Sequence, residues 1–241
     1  MKRFRLLGIN VDSINEEDVY NKILVLSEKE SASHVILLDT YLLMKAKFNR
    51  ELFNIINTAD LVLPISPGIR FGLKFFKNNV EKVYNFFYFT IRLLTFLTDE
   101  KKNIYVLGGK KNSINKAEKN IRDSFPGIRL LGKYGVDYKK DFEDKLISAI
   151  QKVSPALVLV SMKRPRQEKW IYQRKNKFNH SVFIGVERFV NILSGKDLSS
   201  YEKLSGSGKY GVNKMIKRPF SFFYYILYII LLLIYKIFRL A

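Results

Sequence analysis

The sequence predicts an α/β fold: a Rossmann-like, mostly parallel sheet with helices on both faces, followed by a C-terminal helical tail that contacts a membrane. Three observations carry this. Short apolar runs alternate with helical stretches from residue 4 to about 195. Such alternation implies βαβ units, whose parallel strands are covered on both sides. The chain then changes character at "PFSFFYYILYIILLLIY", Pro219–Tyr235, which carries no charge.

The elements follow in order. "FRLLGINV" reads as a strand. "SINEEDVYNKILVLSEK" reads as a helix, with Ser13 as N-cap and Glu16 three residues on, the spacing of a capping box. "HVILLD" is a strand, "TYLLMKAKFNRELFNIINTA" a helix and "DLVLP" a short strand. "GIRFGLKFF" and the aromatic-rich "YNFFYFTIRLLTFL" read as helices; the second, with Arg92 its one charge, is either buried or a second membrane-facing surface. "NIYVLGG" is a strand ending in a glycine pair before a helix over 112–124. "IRLLGKY", "ALVLVS" and "SVFIGV" are further strands, followed by helices over 138–152, over 165–175 and to about 194. The expected organisation is a domain over 1–195, a Gly/Ser-rich linker over 196–213, and a basic and apolar tail over 214–241.

Composition bounds the function. The 241 residues suffice for a substantial core, and 47 % are hydrophobic. With no cysteine and two histidines, thiolate metal sites and disulfides are excluded, and neither a metal nor a cofactor is expected. A net charge of +20, from 42 basic and 22 acidic residues, favours anionic partners: nucleic acid, phosphorylated ligands or a membrane surface. No nucleic-acid motif is present, so that partner is set aside. The start "MKRFRLLGINV" lacks a signal-peptide pattern, which predicts a chain at the cytoplasmic face of the membrane. The tail is marginal for a spanning helix and is flanked by Lys214, Lys217, Arg218, Lys236 and Arg239. That pattern suits a peripheral or monotopic helix in the headgroup region, with an oligomer contact or a buried helix as the other readings.

Two strand-to-helix junctions hold the chemistry. In "YVLGGKKNS", Gly108 and Gly109 form a turn whose amides, with the next helix start, suit a phosphate; a tight turn needing positive φ is the plainer reading. In "LVLVSMKRPRQEKWIYQRK", a strand ends in Lys163, Arg164, Arg166, Gln167 and Glu168, with Pro165 placed for a helix's first turn. Basic groups beside Gln and Glu at that edge suit an anionic, hydroxyl-rich ligand. Trp170 reads as core.

These stretches resemble the WecG/TagA/CpsF glycosyltransferases, glycosyltransferase family 26. "GINVDSINEEDV", "NTADLVLP", "IYVLGGK", "FPGIRLLG", "VFIGV" and "LSGK" occur in the family's order, and "RPRQEKWI" is similar to its Pro-x-Gln-Glu-x-Trp motif. The resemblance covers about residues 6–195. It implies sugar transfer with inversion from a UDP-sugar donor to a polyprenyl-diphosphate-linked sugar, without an Asp-x-Asp metal motif. Gly108, Gly109, Lys163, Arg164, Arg166, Gln167, Glu168 and Gly185 then form the expected substrate-binding set, with Gln167 and Glu168 on hydroxyls or base and the cations on phosphate.

The departures from the family are specific. Its Asp-Gly after the proline of "LVLP" is Ile65–Ser66 here. Its Arg-Val-x-Gly-x-Asp is Lys82–Phe87, and its Gly-Gly-x-x-Asp is Glu187–Asn191. An isoleucine cannot remove a proton, so the expected base is a replacement carboxylate, Asp39 or Glu187. Asp39 also suits a helix N-cap. Two functions remain: an active membrane-associated transferase of cell-envelope or surface polysaccharide synthesis, or a non-catalytic, nucleotide-binding scaffold subunit. A homo-oligomer is compatible with either.

Overall fold

The computed structural model describes residues 1–135, 143–197 and 219–238. A six-stranded parallel sheet runs in the order β4 (Leu61–Pro64), β3 (Ser33–Leu38), β8 (Val182–Gly185), β7 (Leu157–Ser161), β5 (Asn103–Gly108), β6 (Arg129–Tyr134). Strands β3, β4, β7 and β8 are buried along their whole length, which is why each reads as an unbroken apolar run.

Alternation along the strands feeds different cores. Val35, Leu37, Leu61, Leu63, Leu157 and Leu159 pack with α1 (Glu16–Ser27), α5 (Phe86–Asp99), α6 (Lys111–Ser124) and α9 (Phe189–Leu193) on one face. On the other, Ile36, Leu38 and Val62 pack with α2 (Thr40–Lys47), α3 (Arg50–Asn57), α4 (Pro67–Phe75) and α10 (Pro219–Ile237). Val158, Val160 and Phe183 pack there with α7 (Glu143–Val153) and α8 (Arg166–Arg174). The chain thus leaves β5 and β8 towards one face, and β3, β4 and β7 towards the other. That reversal opens a crevice at the C-terminal strand ends.

Several local expectations are corrected. "FRLLGINV" is not one strand but a hairpin, β1 (Lys2–Leu6) and β2 (Ile9–Ser13), antiparallel and separate from the main sheet. Its turn, Leu7–Gly8, has φ of 50° and 80°, the doubly positive geometry that suits a two-residue hairpin. Ser13 ends β2, and its hydroxyl accepts from the Glu81 amide. The α1 cap is Asn15, which accepts from the Asp18 amide and donates to its carboxylate. The helix predicted over 40–59 breaks at Phe48–Asn49, where Asn49 caps α3 through the Leu52 amide. Pro165 is the N-cap of α8, not its first turn. Most of the expected linker, 198–213, lies outside the described residues, as do 214–218 of the tail and the start of the 138–152 helix.

The hairpin closes the β4 edge. Asp12, fully buried, takes a bidentate pair from Arg3 (2.6 and 2.8 Å) and accepts from the Val62 amide at 2.8 Å. An amide on an edge strand is thereby satisfied rather than left open to a second chain. Helix α5 is largely a core element: Phe87, Phe89, Leu93, Leu94 and Leu97 are buried, and Arg92 pairs with Glu16 at its exposed side.

Helix α10 lies between α2 and α4. Tyr228 and Leu232 are buried in the same core as Leu6, Ile69 and Leu73, with Tyr224, Leu227, Leu231 and Tyr235 packed around them. The Tyr228 hydroxyl donates to the Gly68 carbonyl (2.8 Å), and Lys47 Nζ donates to the Tyr235 hydroxyl (2.8 Å). These residues recur at the three-to-four spacing of one helix face. Replacing Leu232 by Ala should therefore destabilise the fold by about 2–5 kcal/mol in denaturant unfolding. A value near zero would mean that this helix is not seated.

His34 sits in β3 with both ring nitrogens unpartnered among the described residues. Burial, then the charge of Lys175, lowers its pKa to about 3. The folded protein keeps His34 neutral while the unfolded chain takes up a proton near pH 6.5. Stability should therefore fall as pH drops from about 6.5 towards 3, by up to about 1.4 kcal/mol per pH unit for this proton. His34→Leu should flatten that limb of a plot of unfolding midpoint against pH; an unchanged slope would place the acid sensitivity elsewhere.

Candidate active site at the carboxyl ends of the strands

The predicted site residues fall on consecutive strand ends. In sheet order these are Ile65 after β4, Asp39 after β3, Glu187 after β8, Lys163 and Arg164 after β7, and Gly108–Gly109 closing β5. Neighbouring strands lie about 4.8 Å apart, so the row spans the crevice. Leu38 is in register with Pro64, which sets Asp39 beside Ile65 on adjacent strands.

Arg164 is the centre of the cluster. Its Nη1 pairs with Asp39 Oδ2 at 2.9 Å and its Nε with Glu187 Oε2 at 3.0 Å. Burial works against its charge, but Asp39, Glu187 and Glu168 outweigh that and hold the guanidinium above its ordinary pKa. Behind it, Gln167 and Glu168 begin α8 and are buried, with Gln167 Nε2 donating to Glu168 Oε1 at 2.9 Å. Gln167 Oε1 and Glu168 Oε2 have no hydrogen-bond partner among the described residues. Gly185 is required here: a Cβ on it would lie 2.4 Å from Gln167 Nε2. Lys163 and Arg166 are exposed at the same edge.

The two candidate carboxylates differ. Asp39 Oδ1 accepts from the Leu42 amide at 2.8 Å, capping α2, while Oδ2 pairs with Arg164. Both its oxygens are engaged. Glu187 uses Oε2 for Arg164, and no described partner meets its Oε1. The two positions where the sequence resemblance leads one to expect aspartates are packing positions: Ile65 packs against the main core, and Phe87 is 5 % exposed within it.

The glycine turn is built for close approach. Gly108 and Gly109 have φ of 126° and 71°. A Cβ on Gly108 would meet the Ser161 carbonyl at 2.2 Å, and one on Gly109 would meet Val190 Cγ1 at 2.5 Å. Backbone contact demands glycine at 108, and the Val190 side chain together with the positive φ favours it at 109, whatever they bind. Trp170 is core: it is buried, tilts against Phe183 and donates to Glu143 at 3.0 Å.

Two features escape a sequence reading. Thr40 and Ser66 tie β3 to β4 at the cleft, the Thr40 amide donating to Ser66 Oγ at 3.1 Å and the two hydroxyls lying 3.0 Å apart. Tyr225 of α10 stands near the site, its phenol pKa raised by burial and then by the charge of Asp39. The only signal for either is spatial.

An α/β domain with a charged crevice at the chain reversal has the arrangement in which such sheets bind ligands. Residues 4–240 match the Glycosyl transferase WecG/TagA/CpsF family, and the chain belongs to it. It is similar to the N-acetylglucosaminyldiphosphoundecaprenol N-acetyl-β-D-mannosaminyltransferase of Bacillus subtilis (strain 168), 25 % identical over 147 residues, covering 61 % of this chain and 57 % of that protein. The enzyme of the same name from Bacillus spizizenii is 26 % identical over 142 residues, 58 % and 54 % of the two chains. That from Staphylococcus aureus (strain NCTC 8325 / PS 47) is 25 % identical over 95 residues, 39 % and 36 %. The matched stretch thus spans little more than half of the Bacillus relatives.

Burial pushes the Glu168 carboxyl up to about 7, against the Gln167 amide and the Arg164 charge. The folded state then holds a proton that the unfolded chain releases near pH 4.5. This contribution is complete below pH 4.5 and is lost as pH rises through 7. Glu168→Gln should remove that decline, so the stability of wild type relative to the variant should fall between pH 5 and 7, on top of the His34 contribution that both share. A wild-type-minus-variant difference that stays constant across that window would contradict the assignment.

Proposed function

We propose that the protein is an inverting, metal-independent glycosyltransferase of cell-envelope or surface polysaccharide synthesis. The donor is a UDP-sugar, and the acceptor is a sugar on a polyprenyl diphosphate. The relatives' names point to an N-acetylmannosaminyl group and an N-acetylglucosaminyl-diphosphoundecaprenol acceptor. The observation that carries the reading is the pairing of Asp39 and Glu187 on Arg164, beside the buried Gln167–Glu168 pair, at the carboxyl ends of the strands in a chain of this family.

Glu187 serves as the base, because among the described residues only its Oε2 is committed, to Arg164, whereas both oxygens of Asp39 are engaged. The acceptor hydroxyl oxygen attacks the sugar C1 as its proton passes to Glu187. The C1–O bond to the β-phosphate breaks on the opposite side, and UDP leaves with the electron pair. Lys163, Arg166 and the amides of the Gly108–Gly109 turn offset the charge that develops on phosphate. Gln167 and Glu168 hold the donor's hydroxyls or base; Asp39 and Arg164 hold the frame.

Membrane attachment supports access to the acceptor. The outward face of α10 exposes Phe223, Ile226, Ile229, Ile230, Leu233, Ile234 and Ile237, while its inward face is already packed. No described helix is long and apolar enough to cross a membrane. We therefore read α10 as lying on the cytoplasmic surface of the bilayer, beside the cleft that Tyr225 borders.

One observation favours a second reading, a non-catalytic nucleotide-binding subunit. The positions of the family's aspartates, Ile65 and Phe87, are now apolar packing positions. The two readings separate in one assay, turnover of UDP-sugars with a lipid-diphosphate N-acetylglucosamine, alongside UDP calorimetry. Glu187→Gln should lower turnover by about 10²–10⁴ with UDP binding retained. Asp39→Asn, which keeps a good N-cap, should cost much less. Wild type that binds UDP without turnover, with activity gained by Ile65→Asp, would establish the non-catalytic reading.

A further inference from the structure

We infer that helix α4 of the α/β domain is itself a membrane-docking element, forming with α10 one surface for an anionic bilayer. The inference rests on the membrane reading of α10 and extends it to a part of the fold outside the tail.

The helical wheel of α4 sorts its residues into four ridges. Ile69 and Leu73 face the core and are fully buried. Gly68 and Gly72 lie under α10: the Gly68 carbonyl accepts from Tyr228, and a Cβ on Gly72 would collide with the Tyr228 hydroxyl. Phe71 and Phe75 form the next ridge, their rings 6.3 Å apart. Phe75 touches α10 directly, with Lys236 Nζ 4.4 Å from its ring centroid. Phe71, one turn earlier on that ridge, is 52 % exposed. It therefore continues the apolar outward stripe of α10 onto the domain. Arg70 and Lys74 occupy the fourth ridge, with Lys77 just beyond the helix end, and all three are exposed.

Charge selects the occupant. The stretch 67–80, "PGIRFGLKFFKNNV", contains no acidic residue, so nothing within it neutralises these three cations. A protruding aromatic flanked by cations, next to a long apolar stripe, matches the layering of a bilayer: acyl chains beneath, anionic headgroups at the rim. Helix α4 also starts directly after Ile65–Ser66. Docking through it sets the mouth of the cleft at the headgroup level, where a lipid-linked diphosphate is held.

The experiment is vesicle co-sedimentation of the full chain on phosphatidylglycerol/phosphatidylcholine and on pure phosphatidylcholine vesicles. Each basic residue near an anionic surface contributes roughly fivefold in affinity. The triple variant Arg70→Gln, Lys74→Gln, Lys77→Gln should therefore lose at least about tenfold in binding to the anionic vesicles and little on phosphatidylcholine. Phe71→Ser should weaken binding to both. All four side chains are exposed, so the core is left intact, and UDP calorimetry on each variant checks it. Leu233→Glu reports on α10 alone. If Leu233→Glu releases the protein while the α4 variants bind like wild type, α4 has no such role and the tail reading stands. If Leu233→Glu is also silent, or wild type binds no vesicles, both fall. A soluble dimer that Phe71→Ser dissociates would make this face a contact between two copies, and overturn the bilayer assignment.

Discussion

A single guanidinium holds the working edge of this molecule together. Two carboxylates pair with it from separate elements, Asp39 from the end of β3 and Glu187 from the end of β8, and Glu168 in the first turn of α8 acts on it only through its charge. Without a cation among them, acidic groups on adjacent strand ends would repel one another in a partly buried space. With it, the loops after β3, β7 and β8 are tied into one frame. The converse holds as well, since a buried charge stripped of its partner costs several kcal/mol. The arrangement therefore tolerates neutral changes at one carboxylate better than loss of the arginine.

This frame bears on the chain's place in its family. Ile65 and Phe87 are packing positions: Ile65 joins the main core and Phe87 fills the base of α5. The negative charge of the cleft stands on neighbouring strand ends, Asp39 one strand over from Ile65 and Glu187 two strands over, both paired with Arg164. A carboxylate at a strand end need not return to the same strand to face the same crevice, because the sheet brings neighbouring ends within side-chain reach.

Much of this was legible in the sequence, for identifiable reasons. The parallel strands are buried on both faces, so each appears as a continuous apolar run. The "GG" turn and the "RQE" helix start are dense local signals. What escaped was decided by tertiary contact. Leu7–Gly8 hides a hairpin, because the apolar run continues on both sides of the turn. Ser13 and Asn15 both suit a cap; Ser13 was claimed by β2 and by the Glu81 amide. The partners of Arg164 are far from it in sequence and adjacent only through the strand order. Likewise the uniformly apolar 219–235 gives no hint that one of its faces fills the groove between α2 and α4.

That groove carries a kinetic implication. Tyr228 meets Gly68 across 160 residues of chain, and Tyr235 meets Lys47 across 188. Contacts of such separation form after the local βα units they join, since the loop must close before they are rewarded. Helix α10 is then the closing piece of its core. Its seat is the Gly68 carbonyl, two residues from Ser66 of the Thr40–Ser66 clasp at the cleft. Amide exchange at the rim of the cleft is therefore tied to the docking equilibrium of a helix far along the chain. A lipid surface that retains that helix would slow exchange in β4 and α2 without touching either.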